Sequence, residues 1–209
     1  MIKAVLFDMD GVLVDTEWFY NRRRVAYMEE HGYTFDEIPD FSGSNDVAIW
    51  EGLVPDDPER RAELKAGYVA YQKTHPVPYD ELLNADAYPV FEALHAAGVK
   101  TAIASSSQME LIDELVEVAG IEPFLGFRIS GHECSAFKPD PEIYLRAMEA
   151  LGVAPEESLV VEDSPLGIEA GRRAGARVLA LRPHEGVHLD QSGADAVIDS
   201  LHEILEMDG

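Results

Sequence analysis

The strongest constraint on this chain is a short apolar run that recurs and stops abruptly at polar residues. Ala4–Phe7 runs into Asp8, Thr101–Ala104 into Ser105, and Leu159–Val161 into Glu162-Asp163; Val178–Leu181 is a fourth run, and 127–129 and 196–198 are weaker ones. Runs that are apolar at every position fit strands buried on both faces, as in a parallel sheet covered by helices. Between them the sequence predicts helices over about 86–97, 108–119, 141–151, 165–174 and 200–206. Gly98, Gly120, Gly152 and Gly175 stand where helices end, and Pro141 and Pro165 stand where a first turn tolerates proline. Strand alternating with helix predicts an α/β fold with a doubly wound parallel sheet.

One segment breaks the rhythm. From Asp15 to about Leu83 there is helix after helix: Thr16 or Glu17 to His31, ended by Gly32, then 47–53 and 58–74. The expected organisation is a Rossmann-like core of 1–14 and 84–209 with a second, helical domain, 15–83, inserted after the first strand. Ser42-Gly43-Ser44-Asn45 and His75-Pro76-Val77-Pro78 are its loops.

In open parallel sheets, ligands bind beyond the carboxyl ends of the strands. The residues just past those ends are Asp8, Asp10 and Gly11; Ser105, Ser106 and Ser107; Lys138 before Pro139; and Glu162, Asp163 and Ser164. Asp8 and Asp10 are two apart, so an extended chain points both the same way. With Glu162 and Asp163 added, such a cluster needs a cation, and oxygen-only ligands favour Mg2+. Serine hydroxyls and the N–H groups opening the helix near 108 can hold phosphate oxygens; the same serines could also simply cap that helix. A carboxylate nucleophile, a second carboxylate as acid and base, a metal and a lysine together suit phosphoryl transfer through an aspartyl-phosphate.

Composition sets the limits. Forty acidic residues against 16 Lys and Arg give a formal charge of −24. That surface repels nucleic acid and anionic membrane, so a site for a phosphorylated metabolite must create positive charge locally. The single cysteine, Cys134, excludes a disulfide framework and fits a reducing compartment. The four apolar residues before Asp8 are too few for a signal peptide, so a cytoplasmic protein is expected, as a monomer or weak homodimer. His184-Glu185-Gly186-Val187-His188 matches HExxH, but Pro183 and Gly186 oppose the helix that motif needs, and it reads as a loop. Arg22-Arg23-Arg24 reads as a solvated helix face paired with Glu29 and Glu30, with one arginine as a candidate to face substrate. Trp18, Phe19, Tyr20 and Trp50 read as core of the helical segment, with Trp18 and Tyr20 near the cleft mouth.

Taken together, DMDGVLVDT (8–16), Ser105 in AIASSS, Lys138 in FKPDP and Glu162-Asp163 in VVEDSPLGIEAGRRAG resemble the four motifs of the haloacid dehalogenase-like hydrolases, in the subgroup with a helical cap. The resemblance spans essentially the whole chain. It implies that Asp8 attacks phosphorus and that Asp10 protonates the leaving oxygen and then activates water. It also implies that Asp8, the Asp10 carbonyl and Asp163, with Glu162 beside it or through water, bind Mg2+. Ser105 and the Ser106 N–H would hold the phosphoryl group, Lys138 would balance its charge, and Gly11 would let the chain unwind after the nucleophile. Asp10 argues for a phosphatase or phosphomutase, since dehalogenases of the superfamily lack that residue. β-Phosphoglucomutases carry a histidine where this chain has Tyr20, and an arginine in the loop beginning at Gly43 where it has Asp46. An acid there favours a Mg2+-dependent phosphatase over a mutase. Members usually carry Pro-Gly-Val where Ala85-Asp86-Ala87 aligns. The rival from another class is a non-catalytic phospho-acceptor or binding module.

Overall fold

The computed structural model describes residues 1–39, 41, 46–183 and 187–206. Six strands form one sheet in the order β3-β2-β1-β4-β5-β6. They are β1 (Ala4–Phe7), β2 (Lys100–Ser105), β3 (Phe127–Ser130), β4 (Ser158–Glu162), β5 (Arg177–Leu181) and β6 (Ala196–Ile198). Every neighbouring pair is parallel, with Phe7 level with Ile103 on one side and Val161 on the other. The carboxyl ends of β1, β2 and β4 are therefore adjacent, and the polar residues following each run meet there.

Alternate residues of these strands feed two cores. Ala4, Leu6, Ala102, Ala104, Val160, Val178 and Ala180 pack with Tyr144, Ala147 and Met148 of α7 (Glu142–Leu151) and Ile168 and Ala170 of α8 (Pro165–Arg173). On the opposite parity, Phe7 stacks on Phe91 of α5 (Ala87–Ala96) with ring centroids 4.7 Å apart, and α6 (Met109–Ala119) lies against β3. Burying one side chain the size of Phe7 or Leu6 contributes about 1.5–3 kcal/mol. The doubly wound parallel α/β sheet expected from the sequence is thus the fold. Gly120 and Gly152 end α6 and α7 in the left-handed conformation at φ +67° and +65°.

Contacts divide the chain into one unit of Met1–Asp15 with Tyr79–Gly209 and a second of Thr16–Pro78. The second crossing falls at 78/79 rather than at 83. The short helix α4 (Tyr79–Leu82) packs against α6, and the Asp15 N–H donates to the Leu82 carbonyl at 2.9 Å. The C-terminal segment expected as an α-helix is a 3-10 helix, Leu201–Glu206. Its two buried residues, Leu201 and Ile204, are three apart, which suits three residues per turn.

The second unit holds α1 (Glu17–Glu30), α2 (Asp46–Leu53) and α3 (Pro58–Thr74) around Tyr27, Met28, Ile49, Trp50, Leu53, Leu64 and Tyr68. Tyr27 donates to the Leu64 carbonyl at 2.9 Å, and a Cβ on Gly67 would lie 2.4 Å from its hydroxyl, so the helix glycine makes room for the phenol. Arg22 of the arginine run is exposed, as expected, and Arg24 half-buried, but Arg23 departs from the expected solvated face. Arg23 is buried, donating from Nε to Tyr68 Oη at 3.1 Å and from Nη1 to the His75 carbonyl at the end of α3 at 2.8 Å. Its guanidinium lies 5.0–5.8 Å from the rings of Phe19, Tyr20 and Tyr68. Arg24 donates to Asn21 at 3.3 Å, and Glu30 instead accepts from Tyr71 at 3.4 Å. Asp46 opens α2 and pairs with Lys65.

Candidate active site

The end of β1 sets the site. The Asp8 N–H continues the ladder to the Val161 carbonyl at 2.9 Å, and a tight turn follows in which Gly11 N–H donates to the Val14 carbonyl at 2.8 Å. Gly11 has φ +79°, and a Cβ there would lie 2.0 Å from Asp163 Oδ2. Glycine is required on both counts: the left-handed conformation and the close approach of the Asp163 carboxylate.

Lys138 enters from the loop after β3. Its Nζ donates to Asp8 Oδ1 at 2.5 Å, Glu162 Oε1 at 2.7 Å and the Ala104 carbonyl at 2.9 Å, which uses all three protons. Its side chain is only 6% exposed, so solvent screens these contacts little. Glu162 is fully buried and accepts five donors: Lys138 and Tyr144 Oη (2.7 Å) on Oε1, and the Asp163 N–H, Ser164 N–H and Ser164 hydroxyl on Oε2. Asp163 is buried, and its carbonyl accepts from Gln191 Nε2 at 2.9 Å.

These contacts separate the two carboxylates that share the lysine. Burial penalises the charge of Glu162, but Lys138 and the other donors outweigh it and hold its pKa below the usual value. Asp8 lacks that many donors; burial, with the neighbouring Glu162 and Asp10 charges, pushes it up to about 8 against the pull of Lys138. Burial opposes the Lys138 ammonium too, yet Asp8 and Glu162 keep it protonated well above its ordinary range. Oxygens of Asp8, Glu162 and Asp163, all buried, lie within 4.8 Å of one another. An all-oxygen set of that size and charge fits a hard divalent cation such as Mg2+, which would supply the positive charge that one lysine does not.

Ser105 closes β2, and its hydroxyl accepts from the Ser107 N–H at 3.0 Å; exposed Ser106 lies between them. The structure therefore brings Asp8, Asp10, Gly11, Ser105, Ser106, Lys138, Glu162 and Asp163 to one edge of the sheet. Tyr20 lies half-buried on α1 of the second unit. Gly43 and residues 184–186 of the HExxH match lie outside the described residues. Sequence reasoning missed Tyr144, whose hydroxyl holds Glu162 and whose ring lies 5.0 Å from Lys138 Nζ. Its place on the apolar face of α7 reads as core, and nothing local marks a directed hydroxyl.

Acids, serines and a buried lysine gathered at the carboxyl edge of an α/β sheet form a set suited to phosphoryl transfer. Residues 2–175 match the haloacid dehalogenase-like hydrolase family, and the chain belongs to that family. It is 32% identical over 206 residues to a phosphorylated carbohydrates phosphatase of Thermotoga maritima, covering 94% of each. It is 31% identical to a β-phosphoglucomutase of Mycobacterium bovis, covering 98% of this chain and 92% of the relative. Among solved structures it resembles a HAD family hydrolase of Deinococcus radiodurans R1 with bound phosphate and sodium: TM-score 0.74, 28% identity, 97% of this chain and 93% of that one. Among the described residues no helix is long and apolar enough to cross a membrane.

Proposed function

We propose that this enzyme is a Mg2+-dependent phosphatase that hydrolyses a small phosphorylated metabolite through an aspartyl-phosphate. The observation that carries the reading is the placement of Asp8: a buried carboxylate at a strand end, held 2.5 Å from a buried ammonium and beside two further acids. Asp8 attacks phosphorus while the bond to the leaving oxygen breaks, and Asp10 gives that oxygen a proton. Water then attacks the phosphorus of the acyl phosphate, Asp10 takes the water proton, and phosphate leaves with Asp8 restored. Ser105 and the Ser106 N–H grip the phosphoryl oxygens, and Lys138 offsets their charge.

Asp8, Asp163 and the Asp10 carbonyl would hold Mg2+, which offsets repulsion between the attacking carboxylate and the phosphoryl group. Glu162, both of whose oxygens are engaged, serves chiefly as the anchor of Lys138 beside that ion. The relatives named above include a sugar-phosphate-type phosphatase and a mutase. Asp46, which stands where mutases carry an arginine for the second phosphate, favours the phosphatase, because an acid paired with Lys65 supplies no such grip. A sugar phosphate is the first substrate class to try. The helical unit, as a cap domain, would select the leaving group through Tyr20 and Gly43. The cytoplasm remains the compartment that fits the lone cysteine.

The test is phosphate release from a panel of sugar phosphates, phosphoglycolate and nucleotides, with Mg2+ and with EDTA, by the native enzyme and Asp8→Asn. Release that needs both Mg2+ and Asp8 supports the reading. Activity retained in Asp8→Asn overturns it, and turnover only with a bisphosphate activator supports the mutase.

A further inference from the structure

The serine turn after β2 contains a hydroxyl that the mechanism above leaves unused. Ser107 Oγ lies 2.7 Å from Asp10 Oδ2. The hydroxyl donates and the carboxylate oxygen accepts. Helix capping does not account for this residue: the N-cap of α6 is Gln108, with no side-chain cap bond. The Ser107 hydroxyl instead reaches a residue 97 positions earlier in the chain.

Ser107 is itself held at its other polar atoms. Its N–H donates to Ser105 Oγ at 3.0 Å, a local side-chain turn, and its carbonyl accepts from Ser130 Oγ at 2.6 Å. Ser130 is 1% exposed, stands level with Ser105 in the β2–β3 register, and also accepts from the His132 N–H at 3.1 Å. A Cβ on Gly131 would lie 3.0 Å from Phe137 and 3.3 Å from Ser106 Cα, so the β3 end is packed directly against this turn. A chain of hydrogen bonds therefore runs from β3 through the end of β2 to the carboxylate after β1.

We propose that Ser107 is the positioning residue of the acid and base Asp10: by holding Oδ2 it fixes the carboxyl plane in both half-reactions. This rests on the phosphatase reading. It separates two serines that look alike in sequence, giving Ser105 to the phosphoryl group and Ser107 to the proton. A hydrogen bond to a charged group on a braced donor is the kind of support that keeps a catalytic carboxyl within the narrow angular range proton transfer needs.

The leaving group is the probe, because only a poor one needs the proton. General acid catalysis contributes about 10²–10⁴-fold, and a p-nitrophenolate leaves without it. For Ser107→Ala, kcat/KM is measured on an alkyl phosphate and on p-nitrophenyl phosphate with Mg2+. The expected result is that the alkyl-to-aryl ratio of kcat/KM falls about tenfold or more, and that Ser107→Thr, which keeps the hydroxyl, restores it. An equal fall on both substrates, as a lost phosphoryl contact or a loosened fold would give, overturns the proposal, as does no fall on either. Asp8→Asn is run alongside: if it still hydrolyses both substrates, the phosphatase reading itself fails, whereas an inactive Asp8→Asn with an unchanged Ser107→Ala ratio sinks only the role given to Ser107.

Discussion

Replacing Gly167 by alanine should destabilise the enzyme, against the usual sign for a helix. Gly167 lies within α8, where alanine ordinarily gains about 0.5–1 kcal/mol over glycine. Here a Cβ would lie 1.7 Å from Glu162 Oε1 and 1.9 Å from its carboxyl carbon. Glu162 is a flexible side chain, but it has no unbonded position to move to: its Oε1 accepts from Lys138 and Tyr144, and its Oε2 from Asp163 and Ser164. Displacing the carboxylate breaks at least the two Oε1 bonds, each about 1.5–3 kcal/mol for a charged partner. Subtracting the helix gain leaves a net loss of roughly 2–5 kcal/mol, or a fall of about 4–20 °C in melting temperature for a chain of this length. Turnover should fall with it, because Lys138 loses one of its two carboxylate anchors. Thermal unfolding and phosphate release on purified Gly167→Ala check both. A variant more stable by about 1 kcal/mol with native turnover would refute the packing of Glu162 under α8.

Three further outcomes follow from the same contacts. Arg23→Ala should cost about 2–4 kcal/mol in urea unfolding, from two hydrogen bonds and its ring contacts, and a change within about 0.5 kcal/mol would return Arg23 to the surface. Because Asp8 titrates near 8 in the folded, metal-free protein and near 3.8 unfolded, the folded state holds the extra proton between those values. Stability in EDTA should therefore fall as pH rises from about 4 to 8, by on the order of 1.4 kcal/mol per pH unit, and Mg2+ should raise the melting temperature more at pH 8 than at pH 5.5. Equal Mg2+ increments at both pH values, or an unchanged pH slope in Asp8→Asn, would contradict this. Burial and the nearby Glu142 raise the Cys134 thiol above its ordinary value, so it should react with a thiol reagent more slowly at pH 8 than a free cysteine, and a faster reaction would contradict that placement.

The parts of the fold legible in sequence were those with a one-dimensional cause. Ala4–Phe7 and Leu159–Val161 read as strands because both faces of a central parallel strand are buried, and the polar residues ending them mark the carboxyl edge. Gly120 and Gly152 read as helix ends because the left-handed conformation restricts residue type. The contacts that order the site were not legible. Tyr144, Ser107 and Ser130 are ordinary helix-face, turn and strand-end residues until the sheet register sets Ser130 beside Ser105 and Ser107 reaches Asp10. Arg23 was misread because charge alone suggests solvent, whereas Phe19, Tyr20 and Tyr68 supply ring faces and the end of α3 a carbonyl. The crossing at 78/79 was placed too late because Tyr79–Leu82 is helical like the segment before it, and only its packing on α6 assigns it elsewhere.

The central claim is that Asp8 carries the phosphoryl group. The most direct measurement is an acid quench during turnover with Mg2+ and a hydrolysed sugar phosphate, followed by borohydride reduction and peptide mapping. The expected result is reduction of the Asp8 side chain alone, absent in Asp8→Asn and absent without substrate. Turnover with no modified aspartate at position 8, or the label on another residue, would contradict it.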